Sequence, residues 1–261
     1  MRREDAASFS RRKLTDVDKR RLTYIALAAA GVLTLTGFLL AFFVATPAQT
    51  IATLSTGGGR LFGGVFVSHP IDFGQKIFYF HVPVAITSFA VFFFTAYFGA
   101  RFLITRDPAY DVKARIAAEV TLIFVLLTML TGDLWTRWAW GVWWVWEPRL
   151  TTYFILTLLV VAYFVLRASV DDDERRAVYA AVFGIIAFID APISFAITRL
   201  VPSELHPVVI GVPGGLDGTQ LAAFLIAMFG MLAFGFVIYQ LRWREERVKE
   251  RIEALKSALE D

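Results

Sequence analysis

Long uncharged apolar stretches alternate along this chain with short polar ones. Leu22–Ala45 and Thr219–Leu241 carry no charge, and Ile77–Ala100 carries none apart from a protonatable His81. Ile116–Leu134 is apolar, with Glu119 near one end and Asp133 at the other. Leu150–Leu166 is short and uncharged, and Ala177–Ile197 holds one acid, Asp190. A helix needs about 20 mostly apolar residues to cross the hydrocarbon of a bilayer. The pattern predicts an all-α integral membrane protein with six transmembrane helices. One membrane domain then spans residues 22–241, between a basic tail over 1–21 and an amphipathic helix over 242–261. In that last segment Val248, Ile252, Leu255 and Leu259 recur at helical spacing. Docking to a partner, or a solvated or membrane-surface helix, would both suit it.

Composition supports this division. Hydrophobic residues make up 57% of the chain and charged ones 19%, against about 45–50% and about 25% in soluble domains. The absence of cysteine excludes disulfides, thiolate metal sites, a catalytic thiol and self-attachment of haem through a CxxCH motif. The net charge of +3 is sorted by side. Basic residues crowd the two tails and the connections after the second and fourth spans. The other side has only Arg60, Lys76, Arg137, Arg149 and Arg199. The positive-inside rule then puts both termini in the cytoplasm of a cell (plasma or inner) membrane, and the basic charge reads as topology rather than as a nucleic-acid surface. The first apolar run, about 24 residues, is longer than a signal-peptide core and is expected to stay as an anchor. Ser55–Gly64 is glycine-rich without a Walker pattern and reads as a flexible loop.

This topology gathers the unusual residues on the outer face. His69, His81 and His206 all fall in or beside it. So do six of the seven tryptophans, which lie in the segment TGDLWTRWAWGVWWVWEPRLTT. An interfacial belt scatters one or two aromatics per helix end. Trp135, Trp138, Trp140, Trp143, Trp144 and Trp146 are far denser than that. Were the segment helical, Trp140, Trp143 and Trp144 would share a face, until Pro148 limited the helix. The external segment 135–149, between helices 3 and 4, is expected to offer a flat π-rich surface with Arg137 and Arg149 at its ends. A planar apolar ligand with anionic edges suits such a surface, and haem is one. Its iron takes imidazole, and its propionates pair with arginine.

The segment WGVWWVWEPRLTT resembles the tryptophan-rich signature of the WWD family of haem-handling proteins in cytochrome c maturation. The six-helix type, CcmC, is the most similar. IFYFHVPVA resembles that family's first external histidine motif, with His81 at the ligand position. SELHPVV lies where the family has its second histidine, which makes His206 the match. The order of motifs and spans agrees over about residues 20–240. Glu147 stands where the family has aspartate, followed by Pro148, and Pro202 and Pro207 flank the second histidine. The resemblance implies haem b as transferred cargo, with axial ligands His81 and His206 and a platform of Trp135, Trp140, Trp143, Trp144 and Trp146. It implies delivery to the haem chaperone CcmE, with the helper CcmD and the ABC transporter subunits CcmA and CcmB as further partners. ATP hydrolysis would then belong to those subunits, and this chain would not be a conventional enzyme.

Each residue also has a plainer reading. His81 could be hydrogen-bonded inside the bundle, and His206 could be a solvated loop residue. His69 has no family counterpart and reads as a loop residue or a substitute ligand. Arg149 suits a propionate or an ion pair with Glu147, and Arg137 is a weaker candidate for the same role. Glu147 could be solvated or could orient Arg149. Asp190 needs protonation or a partner such as Arg199, or it lines the site, and Pro192 is expected to kink its helix. Glu119 is expected to pair with Arg115 at i, i+4. Two other classes stay open: a cytochrome b-type redox subunit, and a permease for another planar cofactor.

Overall fold

The computed structural model describes residues 3–45, 74–203, 205, 206, 210, 212 and 215–260, with side chains from residue 20 to residue 259 except at 74 and 75. His69, Arg60, Pro207 and the glycine-rich stretch lie outside the described residues. The described chain is all-helical: α1 Arg3–Phe43, α2 Phe78–Thr105, α3 Pro108–Trp140, α4 Pro148–Ala168, α5 Asp173–Phe188, α6 Asp190–Leu200 and α7 Gly218–Glu260. A 3₁₀ turn, Gly74–Ile77, leads into α2. Six helical stretches among the described residues are long and apolar enough to cross a membrane, because α5 and α6 together make one span. The chain is a multi-pass membrane protein.

Helix starts follow the sequence locally. Asp107 caps α3 through Ala109 N at 2.9 Å, with Pro108 in the first turn. Asp172 caps α5 through Arg175 N at 2.7 Å. Both satisfy backbone N–H groups that a helix start leaves free. The interruption between α5 and α6 falls at Ile189. Pro192, three residues on, has no N–H for the Phe188 carbonyl, so the ladder fails there. The kink expected from Pro192 is therefore a break one turn earlier.

α2 is the central helix, packed against α3, α5 and α7. Its buried face meets small residues: Ala117 on α3 and Ala181 and Ala187 on α5 are almost fully buried. Lipid tails are as apolar as leucine, so helices in a membrane associate by close packing rather than by escape from water. Small faces permit that approach. α1 lies at the edge and packs mainly on α7, antiparallel to it. A Cβ on Gly37 would stand 2.6 Å from Ala227 N, and one on Gly230 2.6 Å from Thr34 N. Leu22, Ile25, Val32 and Leu35 point away from the bundle and are exposed, as a lipid-facing stripe would be.

Several charges at the end bearing the termini are matched. Arg115 bonds Glu119 at 2.6 Å, the expected i, i+4 pair, and also reaches Glu246 at 2.5 Å. Arg242 joins the same cluster through Glu119 at 2.8 Å. Arg167 grips Asp111 bidentately at 2.7 and 2.9 Å. α7 runs unbroken through this cluster to Glu260, so 242–260 continues the last span as one helix.

The α1–α7 contact leaves no room for a methyl group. Gly37→Ala and Gly230→Ala should each destabilise the protein by about 1–3 kcal/mol, the usual cost of overpacking, and lower the melting temperature in detergent by several degrees. An unchanged melting temperature in both would mean that α1 does not pack on α7 in this register.

Candidate functional site

The tryptophan-rich segment is built by two helix ends. α3 carries Trp135, Trp138 and Trp140, then stops at Gly141, whose φ of 76° is the left-handed C-cap that glycine adopts without strain. Residues 142–147 are non-helical, and α4 starts with Pro148 in its first turn. Trp143 and Trp144 therefore do not continue the face of Trp140, and the single-helix arrangement is overturned by Gly141. The rings do not form a flat wall either. Trp135 and Trp140 are tilted by 46°, and Trp144 and Trp146 meet edge to face at 78°. Aromatic quadrupoles favour such edge contacts. Trp140 is buried, whereas Trp143 and Trp146 are 60% and 73% exposed. Trp144 and Trp146 both rest on Phe154 of α4. The indole N–H groups of Trp135 and Trp144 are buried and have no hydrogen-bond partner among the described residues.

Glu147 ties this segment to His206. Its Oε1 accepts from Leu150 N at 2.7 Å, which makes it the N-cap of α4. The same oxygen lies 3.1 Å from His206 Nδ1. That contact is electrostatic: Nδ1 and Glu147 Oε2 have no hydrogen bond of proper geometry. Burial pushes the Glu147 carboxyl up. The His206 contact and the backbone N–H groups of Leu150 and Arg149 outweigh it, and the net shift is downward. Trp140 packs edge-on against the His206 ring, centroids 5.5 Å apart. The carboxylate is 7% exposed, so the solvated alternative for Glu147 is excluded.

His81 comes from the first turn of α2. Its Nδ1 lies 2.9 Å from Thr131 Oγ1 on α3, and the adjacent Gly132 leaves space for the ring edge. His206 and Arg149 are the titratable groups close enough to act on His81, so residues from α2, α4 and the connection after α6 converge at one end of the bundle. Arg149 is half-buried. Glu147 attracts it and Arg199 repels it, yet no described carboxylate comes within ion-pair distance. Its pairing with Glu147 is absent, because that carboxylate caps α4 instead. Arg137 turns back on its own segment, donating to the Gly141 carbonyl and lying 5.8 Å from the Trp143 ring centre.

Asp190 starts α6, with Oδ2 buried and unpartnered among the described residues. Arg199, its expected partner, instead donates to the Ile210 carbonyl at 3.2 Å. The two residues sit at opposite ends of α6, too far apart to meet. Beside the site, an apolar cavity of about 490 Å³ is walled by Phe38, Phe80, Leu134, Trp135 and Trp138, with Lys76 and Thr131 as its polar members. Lys76 is buried and donates to the carbonyls of Ala41 and Ala45 at the end of α1, and burial pulls its ammonium below the ordinary value. Sequence reasoning missed Thr131 and the structural use of Lys76. Thr131 belongs to a buried hydroxyl series with Thr121 and Thr128, which marks an inward face but cannot show which residue it meets.

With this geometry in place, comparison with known proteins is informative. The family model described as CcmC, heme exporter protein C, matches residues 46–258. A heme exporter protein C of Bradyrhizobium diazoefficiens is 32% identical over 195 residues, which cover 72% of this chain and 73% of that one. The protein of the same name from Rhodobacter capsulatus is 29% identical over 219 residues, 80% of this chain and 88% of its own. The Escherichia coli K12 protein is 29% identical over 179 residues, 67% and 73% of the two chains. This six-span, all-helical membrane protein belongs to the CcmC family.

Glu147 carries two duties, and substitutions separate them. Glu147→Ala removes the cap and should cost about 0.5–2 kcal/mol. Glu147→Gln keeps an acceptor for Leu150 but loses the charge beside His206. Because the folded carboxyl is held below its ordinary value, its charge contribution is complete above the ordinary carboxylate range and is lost as pH falls through the lowered value. Melting curves against pH should therefore fall more steeply in acid for the wild type than for Glu147→Gln. Parallel curves would show that the His206 contact does not stabilise the fold.

Proposed function

We propose that this chain binds haem b as cargo at the outer face of a cell membrane and passes it to the haem chaperone CcmE during cytochrome c maturation. It does so beside the helper CcmD and the ABC transporter subunits CcmA and CcmB. One observation carries the reading: His81 and His206, far apart in sequence and on different elements, stand at the same end of the bundle with an Arg149 guanidinium that has no carboxylate to pair with among the described residues. Three relatives from separate organisms carry the name heme exporter protein C, which supports the choice of ligand.

The residues suit haem chemically. No three His, Cys, Asp or Glu side chains gather into a metal cage among the described residues, so two imidazoles suffice only if a macrocycle fills the remaining positions on the iron. His81 and His206 serve as axial ligands. Trp140, which braces the His206 ring, is joined by Trp135, Trp144 and the exposed Trp143 and Trp146 in offering aromatic edges and faces to the porphyrin. Arg149 pairs with a propionate through its planar fork, with Arg137 as a second, more exposed cation. Asp190 is a further wall candidate, since its buried oxygen lacks a partner among the described residues.

The transfer follows from ligand type. Two neutral imidazoles bind iron reversibly, and Glu147 Oε1 stands 3.1 Å from His206 Nδ1 without an aligned hydrogen bond to hold the ring. His206 is therefore the ligand that can swing away when the chaperone approaches, while His81 stays anchored to α3. The bond-forming residue is the chaperone's, and ATP hydrolysis belongs to the transporter subunits, so this chain acts as a haem-binding and transfer component rather than as an enzyme. The distribution of basic residues supports the orientation, since Arg115, Arg167 and Arg242 lie at the end bearing the termini and the histidines at the other.

Absorption spectra with haem quantitation of the detergent-purified protein test the assignment. The wild type should show a bis-histidine spectrum, with haem lost or spectrally altered in His81→Ala and in His206→Ala. Arg149→Ala should keep the spectrum but weaken retention about tenfold or more, the scale of a lost charge-assisted contact. Haem retained unchanged in both histidine variants would refute the ligand assignment. Tightly held, stoichiometric haem that cycles with quinol would favour a cytochrome b-type subunit.

A further inference from the structure

Thr131 has one hydroxyl proton and three neighbours that could share it. Its Oγ1 lies 2.8 Å from the Leu127 carbonyl, 3.2 Å from the Thr128 carbonyl and 2.9 Å from His81 Nδ1. Carbonyl oxygens only accept, so the proton belongs on the Leu127 side, where the distance is shortest and the i−4 geometry of a helical threonine is standard. An oxygen lone pair then faces His81. At 2.9 Å a ring nitrogen facing that lone pair must carry the proton. A neutral imidazole has one N–H, and placing it on Nδ1 leaves Nε2 with a bare lone pair. The opposite tautomer would draw the hydroxyl away from Leu127 and put the ring proton on Nε2, where it blocks a metal. Gly132 supplies the second constraint. A Cβ there would stand 3.2 Å from His81 Cε1, tighter than ordinary van der Waals contact, so the ring edge passes where a side chain would press on it.

We infer that Thr131 is a positioning residue for His81. It selects the Nδ1–H tautomer and holds the ring, so that Nε2 is presented unprotonated, while Gly132 gives the ring edge its clearance. The inference rests on His81 being an iron ligand. Hydrogen-bond partners of metal-bound histidines typically change affinity 10–100-fold when removed, and a threonine hydroxyl committed to its own helix is a partner of that kind.

Nuclear magnetic resonance of the full-length protein in detergent, with ¹⁵N-labelled histidine and no haem, reads the tautomer directly. The chain has 3 histidines, and His81→Ala identifies the signal. The expected wild-type result is a single Nδ1–H tautomer at His81. Thr131→Val, nearly isosteric, should give a mixture and weaken haem retention about 10–100-fold. Thr131→Ser should restore both, and Gly132→Ala should weaken retention by displacing the ring. An Nε2–H tautomer in the wild type overturns the inference, without depending on whether any variant folds. So does a Thr131→Val protein that binds haem as the wild type does while His81→Ala does not. A His81→Ala variant that keeps its haem unchanged refutes the ligand reading, and the positioning role with it. The haem-free spectrum distinguishes that failure from a wrong tautomer.

Discussion

Within a bilayer every peptide group must find its partner inside the protein, because hydrocarbon offers none. That constraint shapes the rest of this molecule. It forces six unbroken or nearly unbroken spans and drives irregular backbone to the bundle ends. Irregular backbone from distant parts of the chain can therefore converge only where helices stop. The candidate site lies at such an end: α3 stops at Gly141, α4 starts after its cap Glu147, and the connection after α6 brings in His206. His81 belongs there because it lies in the first turn of α2.

The same constraint governs buried side-chain polarity. Thr87, Thr121, Thr128 and Thr157 each return their hydroxyl to a carbonyl four residues back, a local solution that requires no neighbour. Ser88 and Tyr153 solve the problem across helices, at 2.8 Å. Thr131 does both: it donates along its own helix and faces His81 on another. A group already satisfied locally can hold a second group without being drawn away, which suits it to fixing a ring.

The two ends of the bundle differ in charge logic. At the end bearing the termini, Arg115, Arg167 and Arg242 all meet carboxylates at hydrogen-bond distance. At the other end, among the described residues, Arg149 has no such partner, the Glu147–His206 contact is off-axis, and Asp190 keeps a buried oxygen unpaired. Unsatisfied polar groups are costly in a membrane, and natural sequences depart from local satisfaction mainly at functional sites. Three such groups close together make the histidine end the candidate site on grounds of charge and burial, although Arg101 Nε at the other end is also buried without a hydrogen bond among the described residues.

The spans, the candidate histidines, the tryptophan-rich segment and the Arg115–Glu119 pair were all legible in the sequence, because apolar run length, residue identity and i, i+4 spacing are local properties. The flat tryptophan wall and the Asp190–Arg199 pair were not what folding produced. One glycine ends α3 inside the segment, and two residues at opposite ends of a helix cannot meet. Sequence by itself determined that this chain is a six-span helical membrane protein of the CcmC type, since hydropathy sets the spans and the motifs mark the family. Tertiary structure alone decided that Glu147 caps α4 and faces His206, that Arg149 has no carboxylate partner among the described residues, and that Thr131 meets His81. Those contacts join residues separated by tens of positions, and no periodicity within one helix encodes which face of its neighbour it will meet.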